Sequence, residues 1–379
     1  MWFMAVAMAL YLGANGYIFS RLWQALGRLL TSQCAETLLS HLGSWQGVVT
    51  HSLRPLFAIL FWVSSIALFI AIGVRNIDLP DFLHRTLFTV GSIWLVWLLY
   101  MVLTTLLFDL AHLIFPAFQG GVWYALTITT LILVLGYGNY RNPHIEHLDI
   151  ALSKPSKGES LRMVVVSDIH LGYGTTRRDL SRYVDMINRQ RGDVVVIVGD
   201  LVDNSITPVN RAAMEEELLR INAPQGVYMV AGNHEYISGI EACSDFASRA
   251  GIALLRDSVV RLDCGIQLLG RDDRTNRRRM PLDSLVSRAD ASLPMVVLDH
   301  QPNDIARSNR LGVDIHLSGH THRGQVWPIS LITDAIFDQS HGYRKWSHTH
   351  AYVSTGLSLW GPPFRIGTNS ELVVLDIRM

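Results

Sequence analysis

Two histidines that are two residues apart, His320 and His322, stand between glycines in the stretch LSGHTHRGQVWP. In an extended chain, residues i and i+2 point to the same side, so both imidazoles can reach one site. An isolated pair of this kind is common in polar turns. Here, further residues of metal-binding type precede the pair along the chain: Asp168, His170, Asp200, Asn233, His234 and His300. Whether they share a site depends on the elements that carry them.

Each of these residues follows a short apolar run that predicts a buried β-strand. The runs are LRMVVVSD, DVVVIVGD, GVYMVAGN, PMVVLDH and VDIHLSG. Amphipathic segments lie between them, such as RRDLSRYVDMINRQ, which predicts a helix. Apolar strands that alternate with helices predict an α/β fold whose sheet is covered on both faces. In such sheets ligands bind at the carboxyl ends of the strands, so we expect the polar residues to converge there.

Capping signals predict two helix starts in this part of the chain. Thr207 precedes Pro208, which suits the first turn of a helix, and predicts a helix over TPVNRAAMEEELLRIN. Ser238 and Glu241 are three residues apart and form the pattern of a capping box, which predicts another helix from that point.

The donor types indicate a transition-metal site. Carboxylates, an amide and several imidazoles suit zinc, manganese or iron better than calcium. One aspartate can bridge two such ions about 3.5–4 Å apart in a hydrolytic centre, with a hydroxide between the ions as the nucleophile. Both ions would neutralise charge that develops on a phosphoryl group. We therefore expect two divalent transition-metal ions and a phosphate-ester substrate.

The amino-terminal part of the chain has a different composition. Residues 1–140 contain five arginines, no lysine and four acidic residues, and they are otherwise largely apolar. Uncharged runs long enough to cross a bilayer predict four membrane spans, at residues 1–19, 55–74, 87–108 and 122–138. The first run lacks a basic start and a cleavage site, which favours an uncleaved anchor over a signal peptide. We expect a transmembrane domain over 1–140, a linker over 141–160 and a soluble domain over 161–379.

The basic residues that flank the predicted spans fall into two groups, which favour opposite orientations of the expected multi-pass protein in the cell membrane. Arg21 and Arg28, directly after the first span, favour a cytoplasmic loop there and a soluble domain outside the cell. The opposite faces carry Arg75, Arg85, Arg141, Lys154 and Lys157. These favour the reverse orientation, and the balance leans slightly to an extracytoplasmic domain.

The global charge argues against one class of partner. With 32 basic and 32 acidic residues the formal net charge is zero, and no basic run is interleaved with aromatics, so we expect no nucleic-acid binding. The basic cluster RDDRTNRRRM, which contains Arg277, Arg278 and Arg279, is interpreted as a solvated loop. The three cysteines do not have the spacing of a metal site. The sequence leaves open whether Cys243 and Cys264 form a disulfide bond.

Taken in order, the motifs DIH, GDLVD, GNHE, H and GHTH resemble the calcineurin-like metallophosphoesterase superfamily, with none of them missing. The stretches GHTHRGQVWP and VSTGLSLWGPPFRIG are similar to the branch of bacterial membrane-associated members that includes YkuE and YaeI. The resemblance covers about residues 145–379. It implies a four-layer α/β-β/α sandwich with two metals, preceded here by a four-helix transmembrane domain.

The resemblance also implies a role for each site residue. The implied ligands of the first metal are Asp168, His170, Asp200 and His322. Those of the second are Asp200, which would bridge the ions, Asn233, His300 and His320. His234 would contact the scissile phosphate or the leaving oxygen without binding metal. Trp360 and Arg365 lie in the family-like tail. Each could contact the substrate or support the structure, and the sequence does not choose between these roles.

Other polar residues are given structural roles. His316 points by alternation to the same side as Ser318 and is interpreted as a core residue or a support of the ligands. Asp272 and Asp273 are expected to fold a turn near the site. Asp109 and His112 share a helix face at the end of the third span, where a structural role at the interface is favoured over function.

These observations predict a membrane-bound phosphohydrolase that cleaves phosphoester or pyrophosphate bonds. Four spans exceed what an anchor needs, which favours a lipid-linked or cell-envelope substrate at the membrane surface and contact with membrane lipids. The resembling family includes pyrophosphohydrolases of UDP-diacylglucosamine, which would suit a cytoplasmic domain, whereas teichoic-type polymers would suit an external one. Two alternatives stay open: a membrane-anchored phosphodiesterase for soluble substrates, and a non-catalytic membrane sensor or transporter.

Overall fold

A computed structural model describes residues 2–33, 35, 37, 40–42, 45–74, 77, 79–117, 120–154 and 160–379. The chain divides into two units, Met1–Leu135 and Gly136–Met379. Among the residues named above, Cys34, Arg75 and Lys157 lie outside the described residues, as does the middle of the predicted linker.

The first unit consists of long apolar helices. They are α1 (Trp2–Leu30), α2 (Trp45–Gly73), α3 (Asp81–Ile114) and α4 (Gly121–Arg141), whose last residues belong to the second unit. Within the described residues, three helices are long and apolar enough to cross a membrane: Gly47–Gly73, Asp81–Ile114 and Gly121–Arg141. They contain three of the predicted spans, at residues 55–74, 87–108 and 122–138, except for Val74, and their crossing of a membrane stays a prediction. The remaining one, residues 1–19, is part of α1, which is not among the three, so a fourth span stays a prediction.

Close packing between α2 and α3 depends on a small residue. Gly91 lies so near to Leu68 that a Cβ on the glycine would be 2.1 Å from the Leu68 backbone nitrogen. Near it, the rings of Phe61 and Trp94 pack edge to face at 4.7 Å, and the Trp94 indole donates a hydrogen bond to Asn15. Small residues that let helix backbones approach are typical of helices in a membrane.

The second unit contains two six-stranded sheets. The first sheet has β1 (His144–Ala151), β2 (Ser160–Val166), β3 (Val194–Val198), β4 (Val227–Val230), β5 (Ala253–Leu255) and β12 (Glu371–Arg378), in the order β1-β12-β2-β3-β4-β5. The second has β6 (Ser258–Arg261), β7 (Gln267–Gly270), β8 (Met295–Leu298), β9 (Ile315–Ser318), β10 (Gly342–Trp346) and β11 (Thr349–Val353), in the order β10-β11-β9-β8-β7-β6. Strands β2 to β5 run parallel to one another, as do β7, β8, β9 and β11.

Helices pack against each sheet: α5 (Arg177–Arg189), α6 (Thr207–Arg211), α7 (Glu215–Leu218) and α9 (Ile240–Arg249) on the first, and α10 (Leu282–Val286) and α11 (Ile305–Arg310) on the second. Two further helices are α8 (Asn233–Ser238), which follows β4, and α12 (Ile329–Ile336), which follows β9. Alternation along β3 shows how the layers form: Val195 and Ile197 pack with the helices, whereas Val196 packs with residues of the second sheet. The arrangement confirms the predicted four-layer α/β-β/α sandwich.

The structure differs from the sequence-based expectation at three elements. Strand β1 lies inside the predicted linker; Ile150 is its one buried residue, so the segment has no apolar pattern. The helix predicted from Thr207 is broken in two at Ala213, whose φ is 47°, and Thr207 is not its N-cap. Ser238 is not a cap either: its hydroxyl donates to the carbonyl of Asp203, and α9 begins at Ile240.

The disulfide bond that the sequence left open is not formed, because Cys243 and Cys264 are free thiols.

Candidate metal centre

The predicted ligands lie directly beyond the carboxyl ends of strands in both sheets. Asp168 and His170 follow β2, and Asp200 follows β3. Asn233 and His234 open α8 after β4, His300 follows β8, and His320 and His322 follow β9. Because parallel strands end at the same edge of a sheet, these side chains converge on one region of the molecule.

Asp168, His170 and His322 form a first group of donor atoms that could hold a metal ion. Oδ1 of Asp168 lies 3.8 Å from Nε2 of His170 and 3.4 Å from Nε2 of His322. The two Nε2 atoms are 3.2 Å apart. All three residues are buried, and their donor atoms face one another.

Asp200, His300 and His320 form a second such group. Oδ2 of Asp200 lies 3.2 Å from Nε2 of His300, and the same oxygen lies 3.7 Å from Nε2 of His170. The rings of His300 and His320 pack edge to face at 5.1 Å. One carboxylate oxygen of Asp200 therefore faces both groups, which places the residue between two candidate metal positions.

Whether the site fits a metal ion can be tested on buried ligand atoms that lack a hydrogen-bond partner. Within the described part of the chain, Nε2 of His300 and Oδ1 of Asn233 have no hydrogen-bond partner. Nδ1 of His300 is 2.7 Å from the carbonyl oxygen of Val198, which keeps the proton on Nδ1 and leaves a lone pair on Nε2. Buried acceptors are seldom left without a partner, and a divalent cation would satisfy both. The residues fit a metal centre.

The charges of the site point the same way. Burial would raise the pKa of Asp168 and of Asp200, but the neighbouring histidines hold both below the usual value. Burial would lower the pKa of His170, whereas the neighbouring carboxylates of Asp168 and Asp203 raise it to about 10, so this ring holds a proton that a bound metal ion would have to displace. Burial lowers the pKa of His322 to about 3, so this ring is already neutral, as a metal ligand must be. The buried carboxylates are charged and attract positive charge, either a proton on His170 or a metal ion.

The backbone at the site is unusual. Five of the seven predicted ligands have a positive φ: Asp168 (55°), His170 (48°), Asp200 (52°), His320 (70°) and His322 (47°). Side chains other than glycine rarely adopt this left-handed region. Two glycines let the strained turns approach each other: a Cβ on Gly232 would lie 2.1 Å from Oδ1 of Asp200, and one on Gly319 would lie 1.9 Å from Oγ of Ser167.

Asp203 was not singled out from the sequence, yet it joins two site histidines. Its Oδ1 lies 3.4 Å from Nδ1 of His170 and 3.2 Å from Nδ1 of His234. Burial would raise its pKa, but the two histidines hold it below the usual value, so the carboxylate is charged. A carboxylate behind a histidine fixes the ring and directs its other nitrogen to the metal. The sequence signal for this role was present in the motif GDLVD, where Asp203 comes three residues after Asp200.

Glu235 is a second residue that the sequence reasoning missed. Its buried carboxylate accepts hydrogen bonds from the backbone N–H groups of Asp200 (3.0 Å), Val202 (2.9 Å) and Gly232 (2.7 Å). It thereby joins the loop that carries Asp200 to the loop that carries Asn233. The spacing in GNHE shows one of these contacts, because Glu235 follows Gly232 at the three-residue distance of a capping box. It gives no hint of the other two, because Asp200 and Val202 come from another strand end.

Arg365 has a structural role. Its fully buried guanidinium donates to the carbonyl oxygens of His322 (3.0 Å), Thr355 (2.6 Å), Gly356 (3.3 Å) and Ser358 (2.5 Å). Burial lowers its pKa to about 10. The side chain holds the HxH turn against the family-like tail and does not reach solvent, which excludes the substrate-contact interpretation.

Trp360, by contrast, is 43% exposed, with its ring 6.4 Å from that of His234.

The structural roles expected of other polar residues agree with their contacts. His316 is buried between Oγ of Ser308 (2.6 Å) and Oγ of Ser318 (3.1 Å), as expected of a core residue. Asp273 accepts from Thr275 N–H and from Gln301, consistent with the expected turn.

The basic loop departs in part from its interpretation as solvated. Arg277 and Arg278 are exposed. Arg279 is instead partly buried and forms ion pairs with Asp299 at 3.2 Å and with Asp304 at 3.2 Å. These carboxylates also bind the buried Arg271, so Arg279 belongs to a structural charge network beneath the loop. The sequence could not show this, because both acidic partners lie in another part of the fold.

Known proteins resemble this chain. Residues 161–324 match the family model for calcineurin-like phosphoesterases. An uncharacterized metallophosphoesterase of Helicobacter pylori is 33% identical over 275 residues, which cover 69% of this chain and 73% of that protein. A Danio rerio transmembrane protein with metallophosphoesterase domain is also 33% identical, over 67% of this chain and 62% of its own length. YkuE of Bacillus subtilis, an uncharacterized metallophosphoesterase, is 28% identical over 69% of this chain and 96% of its own.

Proposed function

Because this chain belongs to the calcineurin-like metallophosphoesterases, in their YkuE-type branch, we propose that it is a membrane-bound phosphohydrolase with two divalent transition-metal ions. The observation that carries the proposal is the position of Asp200, whose Oδ2 lies 3.7 Å from His170 and 3.2 Å from His300. A carboxylate shared by two donor groups is the arrangement that a two-metal centre needs. When bound, the ions would stabilise charge on a phosphoryl group and activate water for attack on phosphorus.

The residues divide into two ligand sets in this proposal. The first ion would be held by Asp168, His170, Asp200 and His322, and the second by Asp200, Asn233, His300 and His320. The mixture of imidazole, amide and carboxylate suits manganese, zinc or iron.

His234 would act on the substrate. Asp203 lies beside its Nδ1 at 3.2 Å, and its backbone N–H donates to Oδ1 of Asp200 at 3.0 Å. These contacts fix the ring and leave Nε2 as the nitrogen that can meet a phosphate oxygen or the leaving group. Help of this kind is typically worth about 10²–10⁴-fold in rate.

We further propose a lipid-linked or cell-envelope phosphate as the substrate, since apolar side chains border the centre. Trp360 lies next to His234, and the ring of Phe337 lies 6.4 Å from that of His320. Phe337 directly follows α12, on which Leu331 is 58%, Ile332 55% and Ile336 68% exposed. An exposed apolar patch of this kind is typical of a binding surface. It could bind the acyl or prenyl chain of a substrate while the phosphate reaches the metals.

The sidedness of the catalytic unit is also a proposal. Arg21 and Arg28 lie in the second half of α1, and Arg54 lies in the first third of α2. If these arginines mark the side on which α1 ends and α2 begins as cytoplasmic, then three further crossings lead to a catalytic unit outside the cell. This holds whether or not α1 spans the membrane. A reporter enzyme that is active only outside the cytoplasm, fused after Met379, would be active; activity of a cytoplasm-dependent reporter instead would reverse the assignment.

Metal content and turnover test the catalytic proposal. The purified full chain should contain close to two transition-metal equivalents and hydrolyse an aryl phosphate ester. Asp200→Ala should abolish turnover because both ligand groups lose a shared oxygen, whereas the exposed Asp245→Asn should leave turnover unchanged. Near wild-type turnover of the Asp200 variant, or an ordered site that takes up calcium alone, would contradict the mechanism.

A matched pair of leucines tests the lipid-linked substrate. Leu331 on α12 and Leu219 after α7 are both 58% exposed, but only Leu331 belongs to the apolar patch beside the centre. Burial of such a side chain against a lipid chain is worth about 1 kcal/mol or more, so Leu331→Ser should raise KM for a prenyl-linked pyrophosphate by about fivefold to tenfold. Leu219→Ser should not, and neither change should affect a soluble phosphodiester. Equal effects on both substrates would favour the soluble-substrate alternative.

A further inference from the structure

A polar cavity lies within the first unit, where apolar packing would be expected. It has a volume of about 460 Å³ and is lined by residues of α1, α3 and the start of α4. Its polar lining includes Arg21, Arg28, Thr105, Asp109 and His112. Every lining residue belongs to Met1–Leu135, so the cavity is separate from the metal centre.

The charges of the cavity leave an excess of positive charge. Asp109 forms an ion pair with Arg21 and accepts a hydrogen bond from the Tyr17 hydroxyl at 2.6 Å. This carboxylate is therefore committed to Arg21, and it holds that guanidinium at the cavity. Arg28 is exposed and has no ion-pair partner among the described residues. With two guanidinium groups against one carboxylate, the lining favours an anion.

A buried hydroxyl gives a second, independent indication. Thr105 is 1% exposed, and its Oγ1 has no hydrogen-bond partner among the described residues. A buried donor of this kind is costly unless a ligand meets it. Gly121 and Val122, the first residues of α4, also line the cavity, and a helix N-terminus carries partial positive charge. Cationic groups and hydrogen-bond donors therefore line one space.

The position of the cavity along the helices limits what the anion can be. Asp109 lies near the end of α3, which stops at Ile114, and Gly121 begins α4. Both helices are candidate spans, so the cavity lies at the level where a bilayer has its headgroups. We propose that this cavity binds the phosphate of an anionic membrane lipid. The site is distinct from the proposed catalytic centre and would bind its lipid whether or not that centre is active.

Binding of defined lipids to the full chain tests this proposal. In an uncharged detergent, native mass spectrometry should show tighter binding of phosphatidylglycerol than of phosphatidylcholine. Arg28→Gln should weaken the phosphatidylglycerol complex by about fivefold, because one cation near a headgroup contributes about that much. Thr105→Val, which keeps the shape and removes the hydroxyl, should weaken it as well. Turnover of a soluble aryl phosphate ester should be unchanged in both variants.

Arg85→Gln is the matched control. Arg85 is also an exposed arginine, but it lies in the second turn of α3, at the opposite end of that helix from Asp109. It should leave lipid binding unchanged. Equal affinity for the two lipids, or an Arg28 variant that binds as the wild type does, would overturn the proposal. Displacement of the lipid by inorganic phosphate at a similar concentration would overturn the lipid assignment in favour of a free phosphate ligand.

Discussion

Replacing Asp203 by asparagine tests how the centre holds its histidines. The carboxylate is 5% exposed, and its Oδ1 lies 3.4 Å from Nδ1 of His170 and 3.2 Å from Nδ1 of His234. Asparagine keeps the size and one acceptor oxygen but removes the charge. The substitution therefore isolates the electrostatic part of both contacts.

The magnitude follows from the two contacts. A charged acceptor makes a contact about twice as strong as a neutral one, so each histidine should lose about 1 kcal/mol. At His170 the weaker contact should reduce metal binding. Replacing a carboxylate that supports a metal-binding histidine typically lowers metal affinity by about 10–100-fold. At His234 the loss acts on the rate alone. We expect metal affinity to fall by about tenfold and, at saturating metal, turnover to fall by a further factor of about five, which corresponds to about 1 kcal/mol.

Two measurements separate these effects. Competition with a chelator of known affinity gives the metal dissociation constant, and turnover at increasing metal concentration gives the rate of the fully loaded enzyme. Asp245→Asn, on the exposed side of α9, is the control and should change neither value. If Asp203→Asn binds metal within about twofold of the wild type and turns over at the same rate, the role assigned to Asp203 is wrong.

Three further changes test other parts of the centre. Burial lowers the pKa of His316 to about 4, so the unfolded chain takes up a proton between about pH 6.5 and 4 that the folded chain excludes; stability is retained above this window and falls by about 3 kcal/mol as the pH drops through it. His316→Gln should remove this part of the acid loss, measured as a smaller drop in Tm from pH 7 to pH 5 than in the wild type; an identical drop would contradict it. Arg365→Lys should lower the free energy of unfolding by about 2–4 kcal/mol, since one ammonium cannot reach the four carbonyls, and a denaturant midpoint equal to that of the wild type would exclude this. Glu235→Gln should reduce turnover by at least tenfold with less effect on folding, because an amide NH₂ must then face a backbone N–H.

The sequence predicted the positions that lie at strand ends, because that information is local. A run such as DVVVIVGD predicts both the buried strand and the place where Asp200 leaves it. The supports of the ligands could not be found in this way. Glu235 acts on backbone groups of other loops, and Arg365 acts on carbonyls that come together only in the folded chain. These contacts carry no spacing signal, since their main-chain partners are distant along the chain; the capping-box contact of Glu235 with Gly232 is the exception.

The elements that were missed or misplaced have similar physical reasons. Strand β1 pairs with β12 at a sheet edge and buries only Ile150, so it has almost no apolar pattern. The break between α6 and α7 depends on Ala213, a good helix former whose backbone is set by tertiary packing rather than by propensity. The helix α1 combines an apolar first half with Arg21 and Arg28, and its relation to the membrane depends on partners that a hydropathy pattern does not contain.

The left-handed backbone at the ligand residues has a consequence for protein engineering. Each such residue costs of order 1 kcal/mol relative to a relaxed conformation, and glycine would remove most of that cost. A library of variants that is selected only for expression or heat resistance would therefore enrich glycine at Asp168, His170, Asp200, His320 and His322. Those selections would discard the donor atoms first, and the most robust variants would be the ones that bind no metal. A screen for hardier forms of this protein must carry a metal-binding readout from its first round.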